Sequence, residues 1–119
     1  MLREMFIAKL HRASVSRTEI DYPGSLTVDS ALLEQAGIPV NMKIQVVNIN
    51  NGARFETYVI PGGPGEIIVN GAAARLAQPH DRIIIIAYAL LNDAEVASNV
   101  PKVLVLNECN EVTEVIQKA

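Results

Sequence analysis

The sequence predicts a mainly β protein, a small closed barrel that associates with copies of itself, and three observations carry that expectation. Short segments rich in β-branched residues alternate with turn residues along most of the chain. Asn51-Gly52, between VVNIN and ARFETYVI, is a strong hairpin signal, because both central residues of a type I′ turn need positive φ. The run RIIIIAYALL, residues 82–91, is nearly continuous in apolar residues, as in a strand covered on both faces. In a chain of 119 residues such a run implies a closed barrel or a subunit interface.

The elements follow in chain order. Strands are predicted at 4–16, 25–28, 43–48, 53–60, 66–69, 82–91, 102–106 and 112–116, where β-branched and apolar residues lie between turn formers. Tyr22-Pro23-Gly24-Ser25 suits a type II turn, with Pro fixing φ at the second position and Gly supplying positive φ at the third. Only two stretches read as helix. Asp29 caps SALLEQA, which ends at Gly37 with Pro39 beyond it. Residues 72–76 form one alanine-rich turn after Asn70-Gly71, too short to hold without packing. PGGPG at 61–65 is expected to be a turn or loop, and its glycines do not match a nucleotide-binding fingerprint.

Length and composition set the class. A chain of this length is one domain, 1–119, by the size prior. Half its residues are hydrophobic but only 4% are aromatic, so the core must be aliphatic. A formal net charge of −3 gives no basic face for phosphates, which argues against nucleic acid and against a swapped-hairpin DNA-binding barrel. The lone Cys109 cannot form an internal disulfide, and no cluster has metal-ligand spacing, so a cytosolic protein without metal is expected. Charges at Arg3, Glu4, Lys9 and Arg12 interrupt the first segment, and residues 83–91 are half the length of a membrane-spanning helix, so no signal peptide and no membrane partner are expected.

Several side chains are capable of chemistry, though each has an ordinary local explanation. Ser25 follows a Pro-Gly turn. Lys9 and His11 share one face of a strand, as do Arg54 and Tyr58, and either pair could be solvated surface. Thr57 should point away from Arg54 and Tyr58: either a bulge or strand end re-aims one side chain, or both faces of the strand are used, at a subunit boundary. Cys109 and His80 are expected to take no part.

These positions recur together in a recognisable pattern: MLREMFIAKLHRASV, then DYPGSLTVD, ALLEQAGI, NNGARFETYVI, and IIVNGAAARLAQPHDRIIIIAY. In this order and over nearly the whole chain, the segments resemble the bacterial pyruvoyl-dependent aspartate decarboxylases. The loop at 61–65 looks shortened, the tail after Asn92 is least similar, and Val47 stands where some members carry a bulky aromatic residue. The resemblance implies a double-ψ β-barrel and a homotetramer with active sites between subunits. It implies a carboxy-lyase that makes β-alanine from L-aspartate for pantothenate and coenzyme A synthesis.

The resemblance also assigns roles. Ser25 Oγ attacks the Gly24 carbonyl, an N-to-O acyl shift makes an ester, and β-elimination followed by hydrolysis leaves a covalently bound pyruvoyl group. The result is a β chain of 1–24 and an α chain of 25–119, with neither metal nor pyridoxal phosphate needed. Gly24, Ser25 and Thr57 serve processing, spontaneously or with a maturation helper protein. Ser25, as the pyruvoyl group, and Tyr58, as general acid, serve turnover. Lys9, Arg54, Thr57, Asn70, Gly71, Ala72 and Ala73 hold substrate, with His11 and Tyr22 supporting. The alternative is a non-catalytic β-barrel acting as an interaction or assembly module.

Overall fold

The computed structural model describes residues 1–117. Among the described residues nine strands join in one sheet: β1 (Arg3–Ser14), β2 (Arg17–Glu19), β3 (Leu26–Asp29), β4 (Lys43–Asn48), β5 (Arg54–Gly62), β6 (Ile67–Asn70), β7 (Arg82–Leu91), β8 (Lys102–Leu106) and β9 (Val112–Gln117). Their spatial order is β2-β6-β3-β5-β4-β7-β1-β8-β9. Because β2 is simply the continuation of β1 past Val15 and Ser16, the ladder that leaves β1 through β7, β4, β5, β3 and β6 returns to the same segment of chain. The closure is stitched at Ser16, whose backbone N–H and Oγ both donate to the Ile67 carbonyl while its Oγ accepts from Ile67 N–H.

The core is aliphatic. Leu10, Leu26, Ile44, Ile67, Ile83, Ile85 and Leu104 are fully enclosed, and each such side chain contributes about 1.5–3 kcal/mol through burial. Strand β7 alternates as far as Tyr88, with Ile83, Ile85 and Ala87 buried and Ile84, Ile86 and Tyr88 half-covered. One face of the apolar run therefore fills the interior, and the other lies on the outer wall, only partly screened by this chain.

Helix α1 (Ser30–Ala36) begins and ends as its sequence requires: the Asp29 carboxylate accepts from Ala31 N–H, and Gly37 closes it at φ 75. A 3₁₀ helix spans Gly71–Leu76. A further helix, α2 (Asp93–Ser98), was not among the two expected, although its capping box was legible: Asn92 Oδ1 accepts from Glu95 N–H and Glu95 returns the bond to Asn92 N–H.

Two turns differ from expectation. Strands β4 and β5 do pair, with Val47 opposite Arg54, but only Gly52 has positive φ and the link is longer than a two-residue I′ turn. Gly52 N–H donates to the Asn48 carbonyl, and Asn48 and Asn51 amides both donate to the Leu76 carbonyl, so side-chain ties to a distant segment shape the loop. The predicted loop at 61–65 begins as strand: Pro61 and Gly62 extend β5 in parallel register with Val28 and Asp29.

Candidate active site

At the Pro23-Gly24-Ser25 segment Gly24 has the positive φ expected of it, but Ser25 is positive as well and the segment is a corner without a hydrogen bond from Ser25 N–H to the Tyr22 carbonyl. The turn lies earlier, where Tyr22 N–H donates to the Glu19 carbonyl at 3.2 Å. Gly24 follows at φ 56 and Ser25 at φ 79. Two consecutive left-handed residues reverse the chain sharply, and at Ser25 that conformation costs about 1–3 kcal/mol, because its Cβ crowds the backbone.

Ser25 is held despite this. It is only 2% exposed, and its Oγ accepts from Asn70 Nδ2 at 3.1 Å. The same amide nitrogen donates to Thr27 Oγ1 at 2.9 Å, and Asn70 N–H donates to the Ser25 carbonyl at 3.1 Å. Antiparallel pairing of Leu26 with Val69 sets this register. Asn70 precedes the 3₁₀ helix without capping it by its side chain, which is turned to the serine instead.

Gly71 makes the corner possible. It is buried at φ 70, and a Cβ there would stand 2.7 Å from Gly24 N and 2.9 Å from Gly24 Cα, with the Tyr22 carbonyl at 3.1 Å. No side chain fits. Across the corner, the Tyr58 hydroxyl lies 3.8 Å from where a Cβ on Gly24 would be. Parallel pairing of Leu26 with Val59 brings that end of β5 alongside. Tyr58 itself is 41% exposed.

The remaining sequence-predicted residues stand elsewhere. Arg54 is four residues from Tyr58 along β5, about 13 Å away at the rise of an extended strand. Its Nη1 donates to Gln45 Oε1 at 3.0 Å, and Tyr88 Oη donates to the same oxygen at 3.3 Å. Lys9 lies on β1 in register with Ile86, its ammonium 5.0 Å from the Phe6 ring centre. His11, two residues on, is half-covered. Burial pushes its imidazole below the ordinary value, and the charges of Lys9, Arg12 and Arg82 push the same way. Through unbroken pairing of β5, β4 and β7, Arg54, Val47, Gln45, Ile84, Ile86 and Lys9 share the outer wall.

Within one chain, then, Tyr22, Gly24, Ser25, Tyr58, Asn70 and Gly71 come together, while Lys9, His11 and Arg54 do not join them. Ala72 is exposed and Ala73 half-covered at the start of the 3₁₀ helix. Register through 54–58 has no shift, so no bulge re-aims Thr57 and it faces away from Tyr58. Thr27 was missed, yet a signal existed: two residues after Ser25 on an extended chain, it shares the serine's face. Among the described residues, no group of three or more His, Cys, Asp or Glu side chains could hold a metal ion, and no helix is long and apolar enough to cross a membrane.

Fold and corner define a small β-barrel protein whose buried serine is fixed by an amide in a strained bend directly after a glycine. The family model for aspartate decarboxylase matches residues 1–113. The chain is 50% identical over 118 residues to aspartate 1-decarboxylase of Bacillus subtilis (strain 168), covering 98% of this chain and 93% of that protein. The aspartate 1-decarboxylase of Clostridium beijerinckii is 51% identical over 117 residues, covering 97% and 94%, and that of Staphylococcus carnosus is 50% identical over 120 residues, covering 99% and 94%. The chain belongs to the aspartate decarboxylase family.

Proposed function

We propose that the protein decarboxylates L-aspartate to β-alanine and carbon dioxide after severing its own backbone between Gly24 and Ser25. The observation that carries the reading is the corner: a buried serine at φ 79, after a glycine at φ 56, in a chain of this family.

In the first stage, Ser25 Oγ attacks the Gly24 carbonyl carbon and the acyl group passes from nitrogen to oxygen. An amide is ordinarily the more stable of the two, so the step needs a bias. Strain at Ser25 supplies about 1–3 kcal/mol, relieved as the peptide bond breaks. A donor to the developing oxyanion supplies about 3–4 kcal/mol more, and Thr57, carried over by resemblance, is assigned that task. Gly24 leaves its carbonyl unobstructed because it has no side chain.

The implied prosthetic group is a pyruvoyl function made from residue 25, and the residues present fit it: a hydroxyl-bearing residue after glycine, enclosed, with an amide donor on its oxygen. Once formed, it supplies an electron sink for the pair left behind as carbon dioxide departs. Around it, the Arg54 guanidinium forks onto the carboxylate that aspartate retains. Lys9 adds positive charge, and the Asn70–Ala73 backbone admits the substrate closely. The Tyr58 hydroxyl, beside Gly24, delivers the proton to the former α-carbon.

Placement of Arg54 and Lys9 on the outer wall supports a homotetramer in which a neighbouring copy supplies charges to the corner. The half-covered Ile84 and Ile86 beside them give that wall an apolar centre suited to burial against another subunit. Intact mass of the denatured, purified protein is the test. Pieces of 24 and 95 residues are expected, the larger resistant to amino-terminal sequencing. A single uncut chain that consumes aspartate overturns the reading.

A further inference from the structure

We propose that Thr27 is a positioning residue for self-cleavage: it fixes the Asn70 amide so that one N–H is held on Ser25 Oγ through ester formation and elimination. This rests on the self-cleavage reading above. Asn70 Nδ2 carries two hydrogens, and both are used, one on Ser25 Oγ at 3.1 Å and one on Thr27 Oγ1 at 2.9 Å. All three residues are buried. Without the threonine acceptor the amide could rotate about its last torsion, which is otherwise broad and roughly two-fold, and place its acceptor oxygen against the serine.

Thr27 is itself held by the neighbouring strand. A Cβ at Gly62 would stand 2.6 Å from Thr27 Cγ2 and 3.2 Å from Glu66 Oε1, so the bare glycine leaves room for that methyl, and the methyl's seat restricts where Oγ1 points. The order of control is Gly62, Thr27, Asn70, Ser25.

The chemistry says which stage needs this donor. During attack, Oγ must offer a lone pair to the Gly24 carbonyl, and a donated hydrogen orients it without activating it. After the acyl shift, the same atom is an ester oxygen that can only accept. In the elimination the Cα proton passes to solvent, its electron pair forms the Cα–Cβ double bond, and the Cβ–Oγ bond breaks with its pair going to Oγ. That oxygen leaves as part of the Gly24 carboxylate. Residue 25 becomes dehydroalanine, which takes up water and loses ammonia to give the ketone. Negative charge collects on Oγ in this step, where a fixed N–H stabilises it most.

Thr27→Val keeps shape and removes the acceptor. Two readings are taken over time on wild type and variants: the fraction separated into 24- and 95-residue pieces, and the fraction of uncut chain that neutral hydroxylamine splits between Gly24 and Ser25, which measures ester apart from any cut at Asn51-Gly52 or Asn70-Gly71. Thr27→Val is expected to separate about tenfold more slowly, the effect of one hydrogen bond to a charging atom, and to accumulate hydroxylamine-sensitive chain. Thr27→Ser, which regains the acceptor oxygen but not the methyl that seats it, is expected to restore both in part, to rates between Thr27→Val and wild type. Gly62→Ala, which displaces the methyl but keeps the hydroxyl, should also slow separation, and it decides the matter should Thr27→Val not fold.

Wild-type rates in either Thr27→Val or Gly62→Ala overturn the proposal, as does a Thr27→Ser variant as slow as Thr27→Val, since the methyl would then be what matters. A wild-type chain that shows neither ester nor separation sinks the self-cleavage reading itself, which is a different result from unaltered variants of a cleaving protein.

Discussion

The corner at Ser25 and the outer wall at Arg54 are two regions built on opposite principles. In the corner, polar groups are buried and tied within one chain, and three of the residues that form it, Gly24, Ser25 and Gly71, have positive φ. On the wall, Arg54 is exposed, Lys9 and His11 are half-covered, and the nearest apolar neighbours, Ile84 and Ile86, are left partly bare. A strained arrangement survives only where surrounding packing over-determines it, and that is available inside one subunit. Charged side chains cannot be buried without a partner, so they wait on the surface until something charged arrives. On the function proposed above, the contrast separates what one chain would accomplish alone, its own cleavage, from what would need a second copy and a substrate.

Substitutions can break that separation, and the largest effect belongs to the nucleophile. Ser25→Ala is expected to abolish both cleavage and decarboxylation, read by intact mass and carbon dioxide release. An active, uncut variant would refute the mechanism.

Arg54→Ala should leave cleavage at the wild-type rate while lowering kcat/KM about 10²–10³-fold, the cost of leaving a carboxylate without its bidentate partner. Co-expressing it with Ser25→Ala sharpens the contrast. If corner and wall come from different subunits, mixed oligomers regain about a quarter of wild-type activity, because each isologous or heterologous contact pairs one good half with another at random. Absence of any regain would place both halves in one chain.

Gly71→Ala tests the packing of the corner. A methyl 2.7 Å from Gly24 N, on a residue with φ 70, should lower stability by about 2–4 kcal/mol and slow cleavage. Chemical denaturation and the mass time-course measure the two, and a variant indistinguishable from wild type would remove Gly71 from the corner's support.

The smallest effect is at His11. Its folded-state pKa is lowered, so below its ordinary value near 6.5 the unfolded chain binds more protons than the folded one. Stability is therefore complete above about pH 6.5 and is lost as pH falls from there through the lowered folded value. Water screens this half-covered site, so the loss is under about 1 kcal/mol. His11→Gln should flatten the slope of stability between pH 5 and 7, checked by denaturation at several pH values.

How far these regions could be read in the sequence depended on the range of the forces involved. Strands at 43–48, 82–91 and 102–106 were legible because side-chain alternation and β-branching act locally, and the Asp29 and Gly37 ends of α1 were legible because caps are made by residues a few positions apart. The capping box of α2 was equally local and was passed over. The I′ turn at Asn51-Gly52 failed for a different reason: Asn48 and Asn51 bond to Leu76, a partner 25 or more residues away. Thr27 lay in plain view two residues after Ser25, but its link to Asn70 spans 43 positions.

By itself, the sequence determined an aliphatic β-rich chain, the places where it turns, and, through the order of its motifs, the family and the residues able to do chemistry. Only the tertiary structure decided which of those residues meet. Closing the ladder through β2 brings β6 against β3, and that pairing sets Asn70 on Ser25 and Gly71 against Gly24, while Arg54 and Lys9 remain outside. Local propensity acts over a few residues and fixes each strand, but contact between strands far apart in the chain is set by how all of them pack at once.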